Sequence, residues 1–150
     1  MPQSYAALCV HAVFSTKNHL PQIELASQRR LFEYIGGLCK ARKSSLLAAG
    51  GTVDHVHLLI SLSREYSAAK LLGEIKADSS GWIHKTFPER HDFDWQDGYG
   101  VFSVSHSNLE SVKGYLARQA EHHHKRSFKE EFRELLLRHH VAFDERYIWK

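Results

Sequence analysis

The chain has 150 residues, 43% of them hydrophobic and 25% charged, which excludes a disordered chain and allows one domain over residues 1–150 with a core of its own. No apolar run approaches the roughly 20 residues that a membrane-spanning helix needs, and the N-terminus lacks the basic and apolar segments of a signal peptide, so we expect a cytoplasmic protein with no membrane partner. The net charge of +3 favours a nucleic-acid partner only slightly.

The first half of the chain carries the periodicities of three strands and a helix. The pattern predicts a strand over 4–16, a helix over 23–43, and strands over 46–53 and 54–62. The last two strands follow each other closely enough to form an antiparallel hairpin, and Gly50–Gly51 suggests a bulge or bend in the first of them. Alternation along the first strand places His11 on the face opposite Ala12 and Phe14.

The second half of the chain continues with a helix, a loop, a strand and two further helices. These elements are predicted over 67–85, 86–98, 99–105, 109–124 and 128–139. Asn108 is a suitable N-cap for the helix over 109–124. Glu130 and Glu131 lie near the positive end of the last helix, where acidic residues are favourable.

The resulting order, β-α-β-β-α-β followed by helices, predicts an α+β fold with a ferredoxin-like (RRM-like) antiparallel sheet. Two helices cover one face of such a sheet. The other face is open to a ligand, a partner or the later helices, and it is the face on which His55, His57 and His11 are expected.

The segment His55-Val56-His57 is the strongest indication of chemistry in the sequence. Alternate residues of a strand point to the same face, so both imidazoles project together, with Cβ atoms about 6.5 Å apart. That separation allows both rings to converge on one cation, while Val56 and Leu58 point into a core.

Two imidazoles hold a divalent cation weakly, so a third ligand is required. Tyr115 and Gln119 are four residues apart on a predicted helix and therefore share a face. If that face meets the open side of the sheet, the Gln119 amide oxygen can be the third ligand and Tyr115 lies beside the metal. A neutral third ligand leaves the cation its full charge, and Mg²⁺ or Mn²⁺ suits such a site best.

Tyr115 is a suitable nucleophile toward a phosphate once it is activated. Its ordinary pKa near 10 leaves only about 1 phenol in 1000 ionised at pH 7. A phosphotyrosine bond can later be displaced by a sugar hydroxyl, so the energy of the broken DNA bond is retained. This suits strand transfer better than hydrolysis.

These residues resemble a known family. His55-Val56-His57, Tyr115 with Gln119, and the segment over 95–105 are similar to the single-tyrosine transposases of the HUH class (His-hydrophobe-His), which serve small insertion sequences, and to the REP-associated tyrosine transposases. The resemblance implies that Tyr115 forms a 5′-phosphotyrosine link and releases a 3′-hydroxyl, while His55, His57 and Gln119 hold Mg²⁺ or Mn²⁺.

The resemblance also implies partners. The expected substrate is single-stranded DNA beside a hairpin, and the expected assembly is a homodimer in which the tyrosine helix can complete either its own site or that of the second copy. Residues with side chains suited to DNA contact are His11, Lys17, Lys76 and Arg118. Trp95 and Tyr99 suit either stacking on unpaired bases or core packing.

Three alternatives remain open at this point. The protein can be a domesticated hairpin-DNA endonuclease, or a non-catalytic nucleic-acid-binding module, although the latter calls for aromatic residues where the sheet carries histidines. A hydrolytic metal-dependent nuclease needs a carboxylate beside the histidine pair, and strand alternation predicts that Asp54 points to the opposite face. The triplet over 122–124 is predicted as a partly cationic helix end or an extension of the metal face.

Overall fold

A computed structural model describes residues 3–119 and 126–149. Its strands are β1 (Cys9–Ser15), β2 (Ser45–Gly51), β3 (His55–Ser61) and β4 (Gly100–Val104). Its α-helices in the described residues are α1 (Gln28–Ala41), α2 (Ala68–Thr86), α3 (Leu109–Ala117) and α4 (Phe128–Arg138). The strands form one antiparallel sheet in the order β2-β3-β1-β4. The predicted ferredoxin-like arrangement is confirmed.

Helices α1 and α2 cover one face of the sheet and enclose the main hydrophobic core. The sheet contributes Ala12, Phe14, Val56, Leu58 and Ile60, and the two helices contribute Leu31, Ile35, Leu71, Leu72 and Ile75. Each of these larger aliphatic side chains contributes about 1.5–3 kcal/mol through the apolar surface it removes from water. The helix and strand periodicities in the sequence therefore point to the correct inner faces.

Trp95 belongs to this core. Its indole is 3% exposed and packs edge-on against Phe14 and Phe93. The indole nitrogen donates a hydrogen bond to Ser79 Oγ at 3.0 Å, which satisfies its one polar atom. Of the two roles considered for Trp95, the structure shows core packing.

Strand β1 begins at Cys9, five residues later than the sequence pattern predicts. Cys9 pairs with Ser61 and with Val104, which are the last residues of the two neighbouring strands. One further backbone hydrogen bond, from Leu62 N to Leu8 O at 2.8 Å, follows that pairing, so the start of β1 coincides with the ends of β3 and β4.

Gly50 allows a close approach between β2 and α3. The register of β2 is irregular between Leu46 and Ala48, so the predicted bulge lies earlier than the glycine pair. A Cβ added to Gly50 would stand 2.0 Å from the backbone oxygen of Leu116 in α3. The missing side chain at Gly50 thus lets α3 lie directly against the edge strand.

Helices α3 and α4 occupy the second face of the sheet. A smaller apolar cluster joins α4 to this face, and its buried members are Val13, Phe102, Phe128, Phe132, Leu135 and Leu136. Ser127 caps α4 by accepting a hydrogen bond from the Glu130 backbone at 3.2 Å. None of the helices in residues 3–119 and 126–149 is long and apolar enough to cross a membrane.

Candidate active site

His55 and His57 lie on β3, side by side on the face that α3 and α4 cover. Both side chains are fully buried, and their ring centroids are 5.1 Å apart. The two imidazoles therefore project together beneath the later helices, as strand alternation requires.

Helix α3 and the residues just after it bring Tyr115 and Gln119 to the histidine pair. Gln119 Oε1 lies 3.3 Å from His55 Nε2, and Gln119 is 1% exposed. The Tyr115 ring is edge-on to the His57 ring, with centroids 5.8 Å apart. The four residues predicted for the site thus meet within one chain.

Glu131, on α4, is a fifth member that the sequence interpretation missed. Its Oε1 lies 2.9 Å from His57 Nε2 and 3.3 Å from His55 Nε2. Its Oε2 accepts hydrogen bonds from the Tyr115 hydroxyl and from Gln119 Nε2, the latter at 3.2 Å. The carboxylate is 1% exposed and stands between the phenol and both imidazoles.

The sequence does hold a signal for Glu131. The buried residues Phe128, Phe132 and Leu135 form the apolar stripe of α4, and Glu131 interrupts that stripe at helical spacing. An acidic residue on the buried face of an amphipathic helix indicates a functional or paired carboxylate more strongly than it indicates a partner of the helix dipole.

His11, on β1, supports His57 from behind. His11 Nε2 lies 2.8 Å from His57 Nδ1, and the two rings stack with centroids 5.0 Å apart. Burial, followed by the neighbouring His57, lowers the pKa of His11 to about 3, so this imidazole is neutral. A neutral His11 can accept a hydrogen bond from the Nδ1–H group of His57, which leaves the lone pair of His57 Nε2 directed at Glu131.

Asp54 and Thr52 support His55 in the same way. Asp54 Oδ1 lies 2.7 Å from His55 Nδ1, and Thr52 Oγ1 lies 2.9 Å from the same nitrogen. Burial lowers the pKa of His55, but hydrogen bonds to Asp54 and Glu131 outweigh burial and the pKa lies above its ordinary value. The prediction that Asp54 points away from His55 is wrong, because β3 begins at His55 and strand alternation does not extend to Asp54.

The donor atoms of the site fit a divalent cation. One potential ligand atom from each of His55, His57 and Glu131 lies within 4.8 Å of the others, and Gln119 adds a fourth beside His55. Neighbouring donors in an octahedral site with bonds of about 2.1 Å are roughly 3.0 Å apart. The observed separations of 2.9 and 3.3 Å match that spacing. Two imidazole nitrogens and two oxygens form a mixed donor set of the kind that divalent cations accept.

Tyr115 is half-buried and borders a cleft that opens to solvent. Burial and the hydrogen bond to Glu131 raise the pKa of its phenol above the ordinary value. The cleft has a volume of about 170 Å³, and its polar lining includes His11, Asn108, Arg138 and His139. This cleft is a route by which a substrate can approach the phenol.

The predicted DNA-contact residues lie in different parts of the molecule. His11 is inside the site and 5% exposed. Lys76 is on α2 and its ammonium donates to the backbone oxygens of Asp97 and Gly98. Arg118 is exposed directly after α3, and Lys17 is exposed just beyond β1. The triplet over 122–124 lies outside the described residues.

A family model described as "Transposase IS200 like" matches residues 4–119, which include the histidine pair, Tyr115 and Gln119. The chain belongs to the IS200-like transposase family. The predicted resemblance to the transposases of small insertion sequences is confirmed. Glu131 and the whole of α4 lie beyond the segment that the family model matches.

Known transposases are similar to this IS200-like transposase in sequence. The transposases for insertion sequence element IS200 of Salmonella typhimurium LT2 and of Salmonella typhi are each 25% identical to it over 116 residues. These matches cover 74% of this chain and 76% of each relative.

Two solved structures share its fold. A candidate transposase from Deinococcus radiodurans R1 superimposes with a TM-score of 0.63 at 19% identity, over 79% of this chain and 96% of that one. A REP-associated tyrosine transposase bound to a REP hairpin gives a TM-score of 0.57 at 14% identity, over 79% of this chain and 70% of that one.

Proposed function

We propose that this IS200-like transposase cuts and rejoins single-stranded DNA with Tyr115 as the nucleophile. The observation that carries the proposal is the position of the Tyr115 phenol, which is hydrogen-bonded to a carboxylate that also contacts both imidazoles of the pair. A tyrosine on an amphipathic helix is ordinarily a packing residue. A tyrosine whose hydroxyl lies at a buried cluster of metal-ligating groups, beside an open cleft, is placed for reaction.

In the proposed cleavage step, the Tyr115 oxygen forms a bond to the phosphorus of a DNA phosphate, and the bond from phosphorus to the 3′ oxygen breaks. Over the whole step, the phenolic proton is transferred to the departing 3′ oxygen. The products are a 5′-phosphotyrosine and a free 3′-hydroxyl. Attack of another 3′-hydroxyl on the phosphotyrosine reverses the step and joins a new strand.

His55, His57 and Gln119 would hold Mg²⁺ or Mn²⁺ in this proposal. The bound cation would supply Lewis-acid polarisation of the scissile phosphate and stabilise the charge that develops on it. The residues around the pair fix it for this role, since His11 and Asp54 occupy the outer nitrogens and leave both Nε2 atoms facing inward.

The proposed substrate is single-stranded DNA next to a hairpin at the ends of an element. A solved transposase of the same fold is described as bound to a REP hairpin, which supports a hairpin substrate for this chain. The homodimer stays a prediction. The present structure gathers His55, His57, Tyr115 and Gln119 within a single chain, so each copy in such a dimer would carry a complete site.

A hydrolytic nuclease is a second candidate, because Glu131 provides the carboxylate that the sequence interpretation found missing beside the histidine pair. The two candidates differ in one product. Tyrosine-mediated cleavage passes through a covalent protein–DNA adduct, whereas hydrolysis by an activated water does not. A domesticated endonuclease would form the adduct but would not join the strand to a new end.

The decisive experiment is incubation of the protein and its Tyr115→Phe variant with hairpin-tailed single-stranded oligonucleotides and Mn²⁺. We expect the unmodified protein to give a covalent adduct on a denaturing gel. Tyr115→Phe should bind the hairpin with unchanged affinity and give no adduct, because it lacks only the attacking oxygen. Tyr5→Phe, which alters an exposed tyrosine, is the matched control. An adduct that persists in Tyr115→Phe would contradict the assignment of the nucleophile.

A further inference from the structure

We propose that Glu131 is a ligand of the cation site and that the same carboxylate positions the Tyr115 phenol beside it. This inference rests on the proposed function and deepens it. It gives the site a negatively charged ligand in addition to two neutral imidazoles and a neutral amide, and it assigns that ligand to α4.

The two oxygens of Glu131 face different partners. Oε1 is the oxygen near the imidazoles, at 2.9 Å from His57 Nε2 and 3.3 Å from His55 Nε2. Oε2 accepts from Tyr115 and from the Gln119 amide nitrogen. One side chain therefore contacts all four residues predicted for the site, with one oxygen on the metal-ligating side and the other on the nucleophile.

Hydrogen bonding at the histidines favours a cation at this position. The Nδ1 atoms of His55 and His57 are already engaged by Asp54 and by His11. With Nδ1 as the donor in each ring, both Nε2 atoms are directed at Glu131 Oε1 and are available to a cation bound there. Lone pairs and a carboxylate oxygen at 2.9–3.3 Å repel one another unless a proton or a cation lies between them. A divalent cation satisfies all three atoms together.

The burial of Glu131 supports the same conclusion. A carboxylate that is 1% exposed loses nearly all of its hydration, and such a loss costs several kcal/mol unless the charge is matched. Buried charges in proteins are paired or coordinate metals. A divalent cation held between Glu131, His55 and His57 would supply that match, and the carboxylate would lower the net positive charge of the loaded site by one unit.

Helix α4 is built to hold Glu131 in place. Ser127 caps its first turn, and Phe128 and Phe132 pack on the sheet on either side of Glu131 in sequence. The family model ends its match at residue 119, so this ligand comes from a segment that the model does not cover.

The proposal predicts measurable cation binding in the absence of DNA. Titration of the full chain with Mn²⁺, followed by electron paramagnetic resonance of the free ion, gives the affinity without any activity measurement. Glu131→Gln, which keeps the shape and removes the charge, should weaken Mn²⁺ binding about tenfold or more. Glu130→Gln makes the same change at the neighbouring, exposed position and should leave the affinity unchanged.

The positioning role has its own measurement. With Mn²⁺ saturating, Glu131→Gln should form the DNA adduct about tenfold more slowly than the unmodified chain, with an unchanged Kd for the hairpin. Glu131→Asp keeps the charge but shortens the side chain by one methylene group. Its Mn²⁺ affinity should therefore lie between those of Glu131→Gln and the unmodified chain, while adduct formation stays slow. Circular dichroism reports whether each variant is folded. If Glu131→Gln does not fold, Glu131→Asp takes its place in both measurements.

Two outcomes would overturn the inference. The first is an Mn²⁺ affinity of Glu131→Gln equal to that of the unmodified chain. The second is faster adduct formation by that variant, which would show that Glu131 blocks access of the substrate to Tyr115. His57→Ala separates this inference from the proposed function. If His57→Ala loses Mn²⁺ binding and Glu131→Gln does not, only the role of Glu131 fails. If neither variant loses it, the proposed cation site is wrong.

Discussion

Each imidazole of the pair has its outer nitrogen held by a neighbouring side chain. Asp54 and Thr52 hold Nδ1 of His55, and His11 holds Nδ1 of His57. A partner on Nδ1 fixes the ring orientation and the tautomer, so that Nε2 presents its lone pair to a metal. The two histidines are thus oriented before any cation arrives.

The role of Asp54 can be tested by removing its charge. Asp54→Asn should weaken Mn²⁺ binding about tenfold, because a neutral amide makes His55 a less basic ligand and does not enforce its tautomer. The measurement is Mn²⁺ titration of the DNA-free protein. Asp92→Asn changes an exposed aspartate in the same way and should bind Mn²⁺ normally. Equal affinity in both variants would show that Asp54 does not support the site.

Some residues of the site can be predicted from the sequence and others cannot, because their contacts are determined in different ways. His55 with His57, and Tyr115 with Gln119, are set by the repeat of one strand and of one helix, so sequence spacing is enough to pair them. Asp54 and Glu131 reach His55 from a turn and from a separately docked helix. Their contacts depend on where β3 begins and where α4 lies, and no local pattern specifies either.

At the scale of elements, α3 has to lie close to β2 for Tyr115 to reach the histidines. The backbone oxygen of Leu116, the residue after Tyr115, would be 2.0 Å from a Cβ at Gly50. Tyr115 and this point of closest approach are therefore adjacent in the chain. Any side chain on Gly50 pushes α3, and with it the phenol, away from the sheet.

Gly50→Ala should therefore damage both stability and reaction. The methyl group meets backbone, which cannot rotate aside, so we expect a loss of about 1–3 kcal/mol in the free energy of unfolding. Adduct formation should fall along with it. Gly37→Ala is the control, because nothing lies within 4 Å of its added Cβ, and alanine in a helix should raise stability by about 0.4–1 kcal/mol. Urea unfolding and the adduct gel measure the two effects. Unchanged adduct formation in Gly50→Ala would contradict this account.

The order and inner faces of the elements followed from hydrophobic periodicity, whereas several of their boundaries did not. The start of β1 depends on where β3 and β4 end, and the irregularity in β2 lies at Leu46–Ala48, where no glycine marks it. The glycine pair instead serves a tertiary contact. Sequence periodicity reports the burial of a segment, but it does not report which other segment comes near.

At the scale of the whole molecule, the structure gathers Tyr115 and the potential metal-ligating groups in one chain. Tyr115 lies on α3, Gln119 just after it, Glu131 on α4 and the histidines on β3, and contacts of 3.3 Å or less link them all. Helix α4 is in turn held on the same sheet by its own apolar cluster. We therefore predict that Tyr115 serves the histidine pair of its own chain.

Mixing two inactive variants tests this conclusion. Tyr115→Phe retains an intact histidine pair, and His57→Ala retains the nucleophile, so a mixture would form an adduct on the His57→Ala chain only if tyrosine acted across two chains. Because the contacts of Tyr115 are made within its own chain, we expect no adduct from the two variants co-expressed with different tags and purified together. The unmodified chain co-expressed with either variant is the control and should give an adduct on its own tag alone. Adduct on the His57→Ala chain would show that the phenol leaves Glu131 and reacts in a neighbouring subunit, which would make the single-chain arrangement a resting state of a shared site.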